Sequence, residues 1–267
     1  MKVDMALLKQ LRDATLAPLK ECKEALVEAN GNLDEAKEVL RKKGMNKAGK
    51  KADRETNEGL VKVEKKADKI VALKLLCETD FVAKNEAFAE FMDTLIEKIS
   101  TDVTTAVASK EELDAGLVEE LKNMIAEFVG KIGENVQLGD VIVSTENAYV
   151  YNHPGNKVAS IIFFEGDNEE VAKEVALQVA AMNPTYLDFD AVPSEDIKKM
   201  ETEFREELLK SGKPENIVDQ IVKGKINKSL ADYVLLEQAY IRDGAKKIKE
   251  IIPADFKVTA YKRIAIQ

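Results

Sequence analysis

Apolar residues recur along this chain at two periods, and the switches between them divide it into segments. Leu7, Leu8 and Leu11 mark a first short amphipathic helix. Pro18 suits the opening turn of a second, with Leu19, Cys22 and Leu26 on one face and Asn30-Gly31 as its stop. Asn32 caps a third, with Glu35 at the reciprocal capping-box position; Ala36, Val39 and Leu40 face inward and Gly44 ends the helix. Residues 1–44 therefore read as a three-helix docking module, whose thin core is marginal by itself. Residues 45–57, rich in Lys, Gly, Asn and acids, read as a solvated linker.

From Glu58 the pattern changes. Leu60, Val61 and Val63, then Lys69 to Cys77, predict two strands of a hairpin turning around Lys65-Lys66-Ala67-Asp68. Phe88, Phe91, Met92, Leu95, Ile96 and Ile99 return to helical spacing, as do Leu113, Leu117, Leu121, Met124, Ile125 and Phe128. A β region through Val141-Ile142-Val143 follows. Ala148 to Tyr151 and Val158 to Phe164 predict a second hairpin around His153-Pro154-Gly155-Asn156, with a helix carrying Val171, Val175, Val179 and Met182 after it. Val-Ala-Lys follows the second strand in both halves, at 82–84 and 171–173, which reads as a weak internal duplication.

Ile197, Met200, Phe204 and Leu208, then Ile217, Val218, Ile221 and Val222 beyond the break Ser211-Gly212-Lys213-Pro214, predict an antiparallel helical hairpin. Its apolar stripe is open to two uses, closing on itself or joining two copies of the chain; a homodimer through this hairpin or the core is the second. A helix near Ala245–Ile252, stopped by Pro253, and a strand from Phe256 to Ile266 complete the chain. The fold class is α+β. The expected divisions are the module 1–44, the linker 45–57, a core N-subdomain 58–140, a core C-subdomain 141–192 with 229–267, and the helical hairpin 193–228.

The junction Cys77-Glu78-Thr79-Asp80-Phe81-Val82-Ala83-Lys84-Asn85 lies where a strand ends and a helix begins. Thr79 can cap the first free N–H groups, and the Asp80 carboxylate complements the positive end of the helix dipole. Phe81 falls in the first turn, where a ring can project into a partner or fold back onto the core. The sequence leaves both open.

Composition narrows the function. Of 267 residues, 45% are hydrophobic and 33% charged, and no apolar run approaches the length of a membrane span. Met1-Lys2-Val3-Asp4 has neither an apolar signal core nor a transit-peptide look, and Cys22 and Cys77 read as reduced, buried thiols, so a cytoplasmic location is expected. The net charge of −9 argues against non-specific nucleic-acid binding. Residues 1–55 carry +3 and the rest −12, a basic head on an acidic body. His153 is the one histidine, so no usual zinc site can form, although an all-carboxylate site stays open. The common phosphate-binding glycine loops and the nucleophile elbow are missing, and nothing pairs two carboxylates as acid and base. The expected protein is a binder and not an enzyme, without a cofactor.

Three stretches carry a resemblance. Cys77 to Asn85 resembles the Thr-Asp-Phe-Val signature of bacterial translation elongation factor Ts. Cys22-Lys23-Glu24-Ala25-Leu26 with Glu28-Ala29-Asn30-Gly31 is similar to that family's N-terminal ubiquitin-associated-like module, and Lys131-Ile132-Gly133-Glu134-Asn135 to its Lys-Ile-Gly-Glu-Asn segment. Order and spacing agree across the chain. The departure is Leu16-Ala17-Pro18-Leu19-Lys20-Glu21, where the family often has Gly-Ala-Gly-Met-Met.

The resemblance implies guanine-nucleotide exchange on elongation factor Tu. Thr79, Asp80, Phe81 and Val82 would form the nucleotide-release element, with Asp80 and Phe81 entering near the partner's magnesium and phosphate site. His153, Ile132 and Gly133 would support it, Lys9, Arg12 and Lys23 would dock the N-terminal module, and the C-terminal segment would reach the partner's third domain. The alternative is an adaptor that binds a partner through its helical module alone.

Overall fold

A computed structural model describes residues 4–15, 17–211 and 214–266. Leu16, Gly212 and Lys213, parts of two expected segments, lie outside them. Contacts divide the chain into two units. One comprises residues 1–146 with 154–158 and 264–267, and the other residues 147–153 and 159–263.

In the first unit, helices α1 (Met5–Thr15), α2 (Leu19–Glu28) and α3 (Leu33–Lys51) close a small core of Leu8, Leu11, Cys22, Ala25, Leu26 and Ala36. Asn32 caps α3, its side-chain oxygen accepting from the N–H groups of Asp34 at 3.0 Å and Glu35 at 3.2 Å. Leu19 is not part of this core. It opens α2 and stands half in water, while Ala17 fills the inner position at that end.

Gly44 does not end α3 either. The helix runs seven residues further and takes up half of the expected linker. Gly44 is buried where α3 crosses helix α6 (Ala115–Ile132), against Gly130. The missing side chains let the two backbones meet, and that packing outweighs the poor helical propensity of glycine.

Strands β1 (Glu58–Lys66), β2 (Lys69–Cys77) and β3 (Val136–Ser144) form an antiparallel sheet in that order. The β1–β2 register runs from Glu58 opposite Cys77 to Lys66 opposite Lys69, leaving Ala67, at φ 54°, and Asp68 to make the turn. The short helix α4 (Asp80–Ala83) and helix α5 (Glu86–Asp102) follow β2. With α6 they enclose Leu73, Leu75, Phe88, Met92, Leu95, Ile96 and Leu121, and Phe91 stacks on Phe128 at 4.2 Å.

The second unit opens with strands β4 (Ala148–Asn152) and β5 (Val158–Glu165) and helix α7 (Glu169–Met182). Helices α8 (Ser194–Lys210) and α9 (Glu215–Leu230) pack Leu208, Val218, Val222, Ile226 and Leu230 between them, so most of the hairpin's stripe closes on itself. Strands β6 (Ala239–Tyr240) and β7 (Asp243–Lys247) form a ribbon where the sequence predicts helix from Ala245; the helix there, α10, covers only Ile248–Ile251.

A buried pair of amides explains the change. Gln178 donates to Gln238 Oε1 at 3.0 Å and to the Ala239 carbonyl at 3.1 Å, and accepts from the Ile241 N–H at 3.0 Å. Held extended in this way, β6 offers β7 a ladder to join. Strand β8 (Lys257–Ala265) then completes a sheet ordered β4-β5-β8, covered by α7 through Ile162, Phe164, Val175 and Val179. Antiparallel sheets with separate helices make the fold α+β.

Candidate functional site

The end of β2 runs into a corner that is fixed on all sides but one. Thr79 is the N-cap of α4, and its Oγ1 accepts from the Val82 N–H at 3.4 Å. Thr79 is itself held by Glu134, whose carboxylate accepts the Thr79 N–H at 3.0 Å and the Thr79 hydroxyl at 2.7 Å. The neighbouring residues reciprocate, since the Glu78 carboxylate accepts the Asn135 N–H at 2.6 Å. That bond, followed by Arg54 at 3.2 Å, holds the Glu78 carboxyl below its usual range.

The Asn135 side chain is buried and donates to the Arg54 carbonyl at 2.8 Å, while Lys51 donates to the Gly133 carbonyl. Gly133 caps α6 at φ 86°, a left-handed conformation that favours glycine, and turns the chain toward Glu134. Beneath the corner the Cys77 thiol donates to the Thr79 carbonyl at 3.2 Å, and its pKa is pushed up to about 11, first by burial and then by the Glu134 charge.

Upon this support α4 sorts its side chains. Val82 and Ala83 turn inward to the sheet core, and Phe81, about 100° away on the helix, turns out. Phe81 is 83% exposed, the most exposed large apolar side chain among the described residues. Asp80 beside it pairs with Lys84 at 2.7 Å, and that hydrogen bond keeps its carboxyl below the ordinary range, so it is ionised at neutral pH. An anion and a bare ring thus stand side by side on a helix N-terminus.

The other expected residues are placed differently. Ile132, the last residue of α6, is half-buried against the core, and the exposed Gly133 caps that helix just before Glu134. Val82 is 8% exposed and packs into the core beneath the corner. Lys9 and Arg12 on α1 and Lys23 on α2 are exposed, near the exposed apolar residues Met5, Leu19 and Val27 of the same two helices in sequence. His153 belongs to the second unit, where it is exposed with Nδ1 2.9 Å from the Tyr151 hydroxyl. Among the described residues no three His, Cys, Asp or Glu side chains gather to hold a metal, and no helix is long and apolar enough to cross a membrane.

A sequence model of the family described as Elongation factor TS matches residues 78–267. The chain belongs to the elongation factor Ts family. It is 38% identical over 262 residues to an elongation factor Ts from Hydrogenobaculum sp., covering 96% of this chain and 95% of that protein. Similar proteins of the same name occur in Chlorobium phaeobacteroides, 39% identical with 91% of this chain and 89% of the relative covered, and in Aquifex aeolicus, 38% identical with 94% and 92% covered. This places the chain among the translation elongation factors. What reading the motifs of this chain one at a time missed is that two of them are bonded together. Glu134 and Asn135 follow Ile132 and Gly133 directly, and their polar side chains beside a glycine were the available signal.

Proposed function

We propose that this protein is a guanine-nucleotide exchange factor for elongation factor Tu, acting in the cytoplasm during translation elongation by binding and not by covalent chemistry. The observation that carries the reading is Phe81, a ring left in water at a corner bonded on every other side. A loop of this kind can enter a partner without first being ordered, so little of the contact energy is lost to fixing it. Asp80, fixed as an anion, would compete for the cationic surroundings of the partner's magnesium and phosphate site. The helices α1–α3, as a ubiquitin-associated-like module, would dock through Lys9, Arg12, Lys23 and the exposed Leu19 on the nucleotide-binding domain. Ile132, Gly133 and His153 would give supporting contacts, and the C-terminal segment would reach the third domain of the partner.

Exchange then follows from linkage. If this protein weakens GDP binding by some factor, GDP weakens this protein's binding by the same factor. Burying one Phe ring supplies about 1.5–3 kcal/mol. At about 1.4 kcal/mol per decade, that corresponds to roughly 10- to 150-fold in nucleotide affinity. The test is release of fluorescent GDP from elongation factor Tu, chased with unlabelled nucleotide, with catalytic amounts of this protein. Phe81→Ala should still bind the partner yet accelerate release at least 10-fold less, in line with the same burial energy. Full acceleration by that variant would refute insertion. No acceleration by the native protein would leave an adaptor.

A further inference from the structure

We infer that Glu134 is a positioning residue for nucleotide release, acting through Thr79 to hold Phe81 ready for insertion. The inference rests on the exchange reading above. Glu134 stands 55 positions along the chain from Thr79, in a loop that the release element does not contain. Its two carboxylate oxygens take the two donors of Thr79, the N–H at 3.0 Å and the hydroxyl at 2.7 Å.

The second bond sets a direction. A hydroxyl that gives its hydrogen to Glu134 turns its lone pairs elsewhere, and the Val82 N–H is the donor that meets one. Glu134 therefore orients the cap that starts α4, and the orientation of α4 decides that Val82 faces in and Phe81 faces out. A helix of four residues has little stability of its own and takes its direction from such contacts.

The carboxylate is held in turn. Gly133 supplies the left-handed bend, Lys51 grips the Gly133 carbonyl, and the Asn135 N–H gives the return bond to Glu78 at 2.6 Å. Of the three bonds between residues 78–79 and 134–135, two run from Thr79 to Glu134 and one runs back from Asn135 to Glu78, so the two segments cannot slide past one another without breaking all three. Since the Asn135 side chain also holds the Arg54 carbonyl, the clasp fixes the corner to the chain that leaves α3.

The experiment compares native protein with Glu134→Ala, Glu134→Gln and Phe81→Ala in the GDP-release assay over a range of exchange-factor concentrations. Glu134→Ala should lower the maximal release rate about 10-fold, equivalent to about 1.4 kcal/mol. The concentration giving half-maximal rate should change less than twofold, because the docking surfaces are untouched. Glu134→Gln keeps an oxygen for the Thr79 N–H and should recover part of the rate. Backbone hydrogen exchange at Val82 in the free protein should speed up in Glu134→Ala and less in Glu134→Gln, a local change that simple loss of global stability would not confine there.

If Phe81→Ala releases GDP slowly while both Glu134 variants keep the native maximal rate, the positioning role is overturned and the exchange reading stands. If Phe81→Ala is itself fully active, the exchange reading fails and the inference with it. Should Glu134→Ala not fold, Glu134→Gln alone decides: native rate and native Val82 exchange refute the role.

Discussion

The crossing of α3 and α6 makes two glycines answer oppositely to the same substitution. A Cβ at Gly130 would lie 2.7 Å from the Gly44 Cα, closer than such atoms come, and its neighbour is backbone that cannot turn aside. A Cβ at Gly44 would meet the Ala126 carbonyl and the Gly130 Cα at 3.5 Å, an ordinary contact. Within a helix, replacing Gly by Ala favours the folded form by up to about 1 kcal/mol. At Gly44 nothing opposes that gain, so Gly44→Ala should stabilise the first unit by about 0.5–1 kcal/mol. At Gly130 the helices must separate, an overpacking that costs about 1–3 kcal/mol, and the propensity gain is smaller near the helix end. Gly130→Ala should therefore destabilise by about 1 kcal/mol, leaving the two variants about 1.5–2 kcal/mol apart.

Because the chain has two units, the assay should follow hydrogen exchange at α3 and α6 amides as urea is added, which does not assume that both units unfold together. Equal stability of the two variants, or a more stable Gly130→Ala, would refute the argument from backbone approach.

Two further outcomes follow from buried groups. Cys77 has its folded pKa pushed up from 9.0 to about 11, so the unfolded chain loses the thiol proton first. Its contribution to stability should be complete below pH 9 and lost between there and about 11. Thiolate absorbance on alkaline titration of native protein and Cys77→Ala should show the late midpoint, and a midpoint near 9 would refute it. Gln178→Ala removes three hydrogen bonds and orphans the Ile241 N–H, so it should destabilise the second unit by about 2–4 kcal/mol in urea unfolding. A loss below about 0.5 kcal/mol would show that the amide pair does not hold the β6–β7 ribbon.

What could be read from the sequence was whatever local spacing decides. The β1–β2 hairpin, the α5 and α6 faces and the Asn32 cap are set by residues a few positions apart, and each forms where the pattern predicts. The failures lie where a distant partner decides. Gly44 reads as a stop until Gly130 is opposite it, 86 positions later. Residues 245–247 read as helix until Gln178 fixes the strand they join. Leu19 matches the periodicity of α2 but stands at its first residue, where Ala17 already fills the inner space.

At the site, the residue types at the corner were legible and their orientation was not. Periodicity in a helix of one turn cannot distinguish an outward Phe81 from an inward one, and the bonds from Glu134 that bear on it come from outside the motif.

Helix α3 has a consequence for how this chain can change over time. One end packs among α1 and α2, and the other end meets the loop that holds the corner, with 19 residues of unbroken helix between. At 1.5 Å per residue it is a strut about 28 Å long. One inserted residue would lengthen it by 1.5 Å and rotate everything beyond by about 100°, whereas four would come close to restoring the phase. Length in α3 should therefore be conserved more strictly than its solvent-facing side chains, and changes in it that survive should come in steps of whole turns.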